Sequence, residues 1–197
     1  GIPRSRKSNS NWSQIRLQCV YGENAGKIPG LFSAVETSWG SAKKISNLEV
    51  LTTNTGFSRS YGNYPYGDYR TNHDNLIFPV SPRDDRKKAK ERVLGIMESE
   101  ITRVYGFDDL ESGKINIKQD KFNNQNLLIV GSREDEYLVS FYPQPGREYM
   151  AIDSAFPYII KDDKGIEYDI FGKSKSGNQQ LEMPVQFIGY WFSWAAF

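Results

Sequence analysis

From Arg92 to Phe171 the chain falls into short apolar, β-branched and aromatic runs, each closed by a turn signal. Strands recurring at such short spacing, with no long helical pattern between them, demand a mainly antiparallel β architecture. Arg92–Ile96 and Ile101–Tyr105 flank Glu98-Ser99-Glu100 as a hairpin. Ile115–Lys121, Leu127–Gly131 and Tyr137–Tyr142 follow, separated by an Asn-rich turn at 123–126 and an acidic turn at 132–136. Tyr149–Ile152 and Phe156–Lys161 are two more strands. Asp162-Asp163-Lys164-Gly165 then closes a hairpin onto Ile166–Phe171, with glycine supplying the positive φ that the turn requires. The expected fold is mainly β, antiparallel and barrel- or sandwich-like, with two or three short helices.

Before residue 92 the texture is looser. Residues 1–11 are polar and basic and read as a flexible N-terminal end, leaving 12–197 as a single compact β-rich domain. Ile15–Tyr21 and Leu48–Thr52 read as strands. Thr37 or Ser38 caps a helix running to about Ile45, and Asp108–Glu111 makes one helical turn. At the C-terminus Phe187, Trp191 and Trp194 fall at i, i+4 and i+7, which predicts a terminal helix over 185–197 with one apolar face. Trp39, Trp191 and Trp194 are expected to anchor the core. Twice, a strand leads into a glycine loop and then a tryptophan helix, around Gly22–Trp39 and around Tyr168–Trp194. This layout suggests a weak internal duplication.

The 25 basic and 24 acidic side chains give a net charge of +1, too little field to hold nucleic acid or an anionic membrane. Mean hydropathy is −0.61, and no apolar run approaches the roughly 20 residues of a spanning helix, so no transmembrane segment is expected. The first residues lack the apolar stretch of a signal peptide, as a trimmed chain also would. With Cys19 and His73 the only cysteine and histidine, an internal disulfide and a zinc site are both excluded. No Gly-rich phosphate loop is present, and no cofactor or metal is expected. Cys19, in the apolar run LQCVY, reads as a buried inert thiol. His73 lies in a polar loop, where it is either a surface residue or a titrating base.

The stretch GFSRSYGNYPYGDYRTN, residues 56–72, is the strongest candidate site. Its glycines and Pro65 forbid a regular helix or strand. Tyr61, Tyr64, Tyr66 and Tyr69 offer flat apolar faces with hydroxyls, and Arg59 and Arg70 offer planar forks that clamp a carboxylate or phosphate. Arg59, Tyr64, Tyr66, Asp68, Tyr69 and Arg70 together could bind a sugar or an anion. Alternatively the rings cover a sheet end and Asp68 pairs with Arg59 or Arg70. Residues 83–92 form a charge block, which reads either as a solvated face or as a nucleic-acid patch diluted by Asp84, Asp85 and Glu91. The acidic doublets Asp84-Asp85, Asp108-Asp109, Glu134-Asp135-Glu136 and Asp162-Asp163 could supply carboxylates for glycoside hydrolysis. They sit where solvated turns are expected, and neighbours on a strand point to opposite faces.

Six phrases occur together and in order: SNSNWSQ (8–14), ETSW (36–39), VLTTNTGFSRSYGNYPYGDY (50–69), LIFPVSPRDDR (76–86), KERVLGI (90–96) and GYWFSWAAF (189–197). In this order they resemble the bacterial family catalogued as domain of unknown function 3179, over nearly the whole chain. The resemblance implies no particular activity. It does imply export, and so an extracytoplasmic location: periplasmic, outer membrane-associated or secreted. It also implies that the chain begins inside the family pattern. Many members carry a cysteine pair in a CP-x-C-like phrase. The comparable LLIVGSREDEYLVSFYPQ has no cysteine, so no redox or metal role carries over from that pair. The expectation is a non-catalytic binding module for a carbohydrate or protein partner. The alternative is a hydrolase working through carboxylates gathered from separate loops.

Overall fold

The computed structural model describes residues 3–99, 101–153 and 155–196. These form four antiparallel sheets of three strands each. The first joins β1 (Arg4–Ser5), β2 (Ser10–Ser13) and β3 (Gln18–Tyr21), so part of the polar N-terminal stretch is paired as a hairpin. The second holds β4 (Arg92–Glu98) between β5 (Ile101–Gly106) and β12 (Val185–Tyr190). The third is the meander of β6 (Asn116–Phe122), β7 (Gln125–Ser132) and β8 (Tyr137–Phe141). The fourth sets β10 (Tyr158–Asp162) between β9 (Tyr149–Ala151) and β11 (Glu167–Asp169).

Strand β7 explains how the sheets stack. Its apolar run does not alternate with polar residues, and both of its faces are covered. Leu128 and Val130 enter one core with Ile159, Ile160 and Tyr168. Leu127 and Ile129 enter a second core with Leu94, Ile96 and Tyr105. Successive side chains on a strand point to opposite faces, so the third sheet lies between the fourth and the second. Each fully buried Leu, Ile or Val contributes about 1.5–3 kcal/mol, which makes this layering the main source of stability. The arrangement is sandwich-like, and no sheet closes into a barrel.

A third core lies on the other face of β4, where Val93 meets Trp191 and Trp194. It corrects the terminal helix expected over 185–197. Residues 185–190 are strand β12, and only Trp191–Ala195 form a helix, α2. β12 pairs with β4 residue by residue, from Val185↔Met97 to Tyr190↔Arg92. Backbone pairing with a buried strand thus overrides the helical spacing of the aromatics. Phe187 still meets Trp194, with ring centroids 4.5 Å apart, because α2 folds back over the sheet. Gly95 makes the fold-back possible: a Cβ there would stand 2.0 Å from the Trp194 ring.

The remaining differences lie before residue 92. The first helix, α1, is confined to Trp39–Ala42, and Ser38 caps it by accepting from Ser41 N. Trp39 is 58% exposed rather than a core anchor, with the Lys43 ammonium 6.0 Å from its ring. The two tryptophan helices therefore do not plug similar cores, and β12 has no counterpart before α1. Leu48–Thr52 is not a strand: residues 43–91 contain only turns, bends and irregular backbone. The helical turn expected at Asp108–Glu111 is a 3-10 turn at Phe107–Asp109. Cys19 is buried, as expected of an inert thiol.

Candidate ligand surface

The long irregular segment is organised by a side chain that the charge block conceals. Lys90 was expected on a solvated face, yet it is only 3% exposed. Its ammonium donates to the carbonyls of Tyr69, Asn72 and Asn75, at 2.5, 2.6 and 2.5 Å. An ammonium has three protons, and all three are used. The ring of Tyr69 lies beneath the charge, its centroid 3.4 Å away, within range of a cation–π contact. The Lys90 backbone N–H donates to Nδ1 of His73 at 3.2 Å. One residue at the entrance to β4 thus fastens 69–75 to the sheet.

Short local bonds wind the adjoining turn. Asn72 N and Thr71 N both donate to the Asp68 carbonyl at 2.9 Å, and Tyr69 N donates to the Tyr66 carbonyl at 3.1 Å. The Asp68 carboxylate accepts from Asn72 Nδ2 at 3.0 Å. Neither arginine of the stretch pairs with it: Arg70 lies over the Tyr64 ring at 4.1 Å and Arg59 over Phe57 at 5.7 Å.

This winding sets five rings in a row. Tyr64 meets Tyr66 edge-on at 5.6 Å, and Tyr66 meets Tyr69 at 6.4 Å. Tyr69 meets Tyr190 at 6.5 Å, and Tyr190 stacks on Phe192 at 5.9 Å. Tyr66 is 59% exposed, and Tyr64 is also exposed. Of the six expected binding residues, Tyr64, Tyr66, Tyr69 and Arg70 come together. Asp68 supports the turn, and Arg59 stands on its own aromatic partner. Tyr190, Phe192 and Lys90 are additions that sequence reasoning missed. Tyr190 and Phe192 were hidden by the helical interpretation of the C-terminus, and no local pattern marks Lys90 as different from its charged neighbours.

Phe192 carries the row into a cleft of about 580 Å³, whose walls include His73, Asp74, Arg83, Lys88 and Glu91. A recess of about 340 Å³ shares His73, Lys88 and Glu91 with it and adds Arg92 and Arg133. Several charges here are already committed. Lys87 pairs with Glu91 at 2.6 Å, Arg86 with Asp84 at 2.6 Å, and Arg92 with Glu36 at 2.7 Å. Arg86 holds the Asp84 carboxyl below its ordinary pKa through their side-chain hydrogen bond. At Asp120 burial pushes the pKa up, but donors from Lys121 N, Tyr105 and Arg103 outweigh it and the net shift is downward. Both carboxylates are thereby held ionised. The Tyr190 phenol is raised, chiefly by burial, with Tyr64 adding to the rise and Arg70 opposing it.

Two acidic doublets do more than face solvent. Asp135 docks α1: its carbonyl accepts from Ser38 N and Thr37 Oγ1, and its carboxylate accepts from Ser41 and Ser132. Asp162 is buried and accepts from the backbone N–H groups of Lys164 and Ile166 at 3.0 and 2.8 Å. Among the described residues no three His, Cys, Asp or Glu side chains are grouped to hold a metal ion, and no helix is long and apolar enough to cross a membrane.

No curated protein and no solved structure matches the chain. Residues 4–197 do match a family described as "Protein of unknown function (DUF3179)", and with essentially its whole length matched the chain belongs to that family.

Proposed function

We propose that the chain is a non-catalytic, extracytoplasmic binding module that takes a carbohydrate along the aromatic row. The observation that carries this reading is the row of rings, Tyr64 and Tyr66 exposed at its outer end, on a segment whose backbone buried Lys90 fastens at Tyr69, Asn72 and Asn75. A sugar ring presents apolar C–H faces and a polar rim, and a tyrosine presents an apolar face beside a hydroxyl, so the two are complementary. Fixing the rings before the ligand arrives removes the ordering cost that binding would otherwise carry. The extracytoplasmic placement rests on the family resemblance. A carboxylate hydrolase is the weaker alternative. Asp84 and Asp120, the carboxylates with resolved shifts, move down rather than up, which suits ion pairs better than a proton donor.

Calorimetric titration with neutral and acidic oligosaccharides tests the proposal. Tyr66→Ala should weaken binding of the best ligand about tenfold, the equivalent of one stacked ring, without moving the melting temperature. If a folded protein binds none of the sugars, or if Tyr66→Ala leaves affinity intact, the carbohydrate reading fails.

A further inference from the structure

We infer that the sugar taken by the aromatic row carries a carboxylate, and that Arg70 is the group that meets it. This rests on the carbohydrate reading and narrows it to a uronic acid. Arg70 lies over the Tyr64 ring, its guanidinium carbon 4.1 Å from the centroid, and its side chain forms no ion pair or hydrogen bond among the described residues. Stacking occupies a guanidinium's face and leaves its N–H rim free, and that rim matches a planar carboxylate with two parallel hydrogen bonds. The stacked tyrosine also restrains the fork, so little freedom remains to be lost on binding.

The surroundings favour an anion. Asp68 is the single carboxylate in residues 56–72, and its Oδ2 is engaged by Asn72. The hydroxyls of Tyr64, Tyr69 and Tyr190 make no hydrogen bond among the described residues and are free to donate. Tyr190 meets Tyr69 with ring centroids 6.5 Å apart, which keeps it within the same row. Farther along, the cleft beyond Phe192 mixes Arg83 and Lys88 with Asp74 and Asp85. The charges of the cleft are therefore mixed in sign, and the unpaired guanidinium lies in the row.

The test compares an oligogalacturonide, its methyl ester and a sulfated neutral oligosaccharide, each titrated into the wild-type protein, Arg70→Gln and Arg70→Lys. A charge-assisted bidentate contact predicts that wild type binds the acid about 10- to 100-fold more tightly than the ester. Arg70→Gln should abolish that preference by weakening only the acid, while Arg70→Lys, which keeps the charge but not the fork, should retain part of it. Raising salt should weaken the acid and leave the ester alone. Equal binding of acid and ester by wild type overturns the inference while the carbohydrate reading stands. Absence of binding to all three probes overturns both. Tighter binding of the sulfated probe refutes the carboxylate assignment. If Arg70→Gln weakens acid and ester alike, Arg70 acts on the loop and not on the ligand, and the inference again fails.

Discussion

Replacing Lys90 with methionine tests how the site is held, because methionine keeps an apolar stem of about the same length and removes the ammonium. Three charge-assisted hydrogen bonds contribute about 1.5–3 kcal/mol each, net of the bonds to water that they replace. Burying an ammonium costs several kcal/mol, which offsets much of that gain. The variant escapes this cost but leaves the carbonyls of Tyr69, Asn72 and Asn75 without their donor. Asn75 is exposed and water can reach it, whereas Tyr69 and Asn72 are half-buried. Two stranded acceptors at about 1–3 kcal/mol each, together with the lost contact to the Tyr69 ring, give a net loss of about 3 kcal/mol. For a chain of this size that corresponds to about 6–12 °C in melting temperature if the loss is global. The segment has few buried contacts of its own, so part of the loss should appear as local opening. Limited proteolysis should cut Lys90→Met within residues 56–75 faster than wild type, alongside the thermal shift. Lys90→Arg should also be impaired, because a planar fork cannot satisfy three carbonyls gathered around a tetrahedral ammonium. A Lys90→Met protein with unchanged melting and an unchanged cleavage pattern would refute the reasoning.

Two further predictions concern the cores. Gly95→Ala places a methyl 2.0 Å from the Trp194 ring, with the sheet backbone behind it, so the indole must leave its site. A loss of about 3 kcal/mol or more is expected by urea unfolding, with a red-shifted tryptophan emission, and retention of wild-type stability and spectrum would contradict the packing. The Tyr105 phenol has its pKa pushed up to about 12, first by burial and then by its hydrogen bond to Asp120. A raised folded-state value means that its contribution to stability is full below about pH 10, the unfolded value, and is lost as pH climbs toward 12. Unfolding free energy should therefore fall across that window. Tyr105→Phe should fall less steeply, though not flatly, because Tyr168 is raised to about 12 as well. Identical slopes for the two proteins would remove Tyr105 from the account.

How much was legible in the sequence depended on whether the cause was local. The turn at 162–165 follows from Gly165, which adopts φ 79°, and the turn between β6 and β7 from Asn123 and Asn124, at φ 44° and 65°. These residues carry their conformational preference with them, so the meander and the following hairpin could be placed from sequence. The unbroken apolar run of β7 likewise announces a strand covered on both faces. The C-terminus was misread because Phe187, Trp191 and Trp194 have a helical spacing, while the deciding partner, β4, lies about ninety residues earlier. Leu48–Thr52 failed for the converse reason: its composition suits a strand, but no strand among the described residues pairs with it.

The site was half legible for a related reason. Ring chemistry is visible in a sequence, and Tyr64, Tyr66, Tyr69 and Arg70 do converge. What gathers them is not. A lysine among Lys87, Lys88 and Glu91 looks like any solvated cation until its three acceptors are known, and those are backbone groups 15, 18 and 21 residues upstream. The same fact explains why the loop displays apolar rings without collapsing them into a core. Hydrophobic burial would have to hide the tyrosines in order to hold them. A buried cation bound to main-chain carbonyls holds the backbone instead and leaves the side chains outside. In this protein the exposed row and the concealed lysine are therefore one construction, and disrupting the lysine should abolish ligand binding even though it lies under the surface that the ligand would touch.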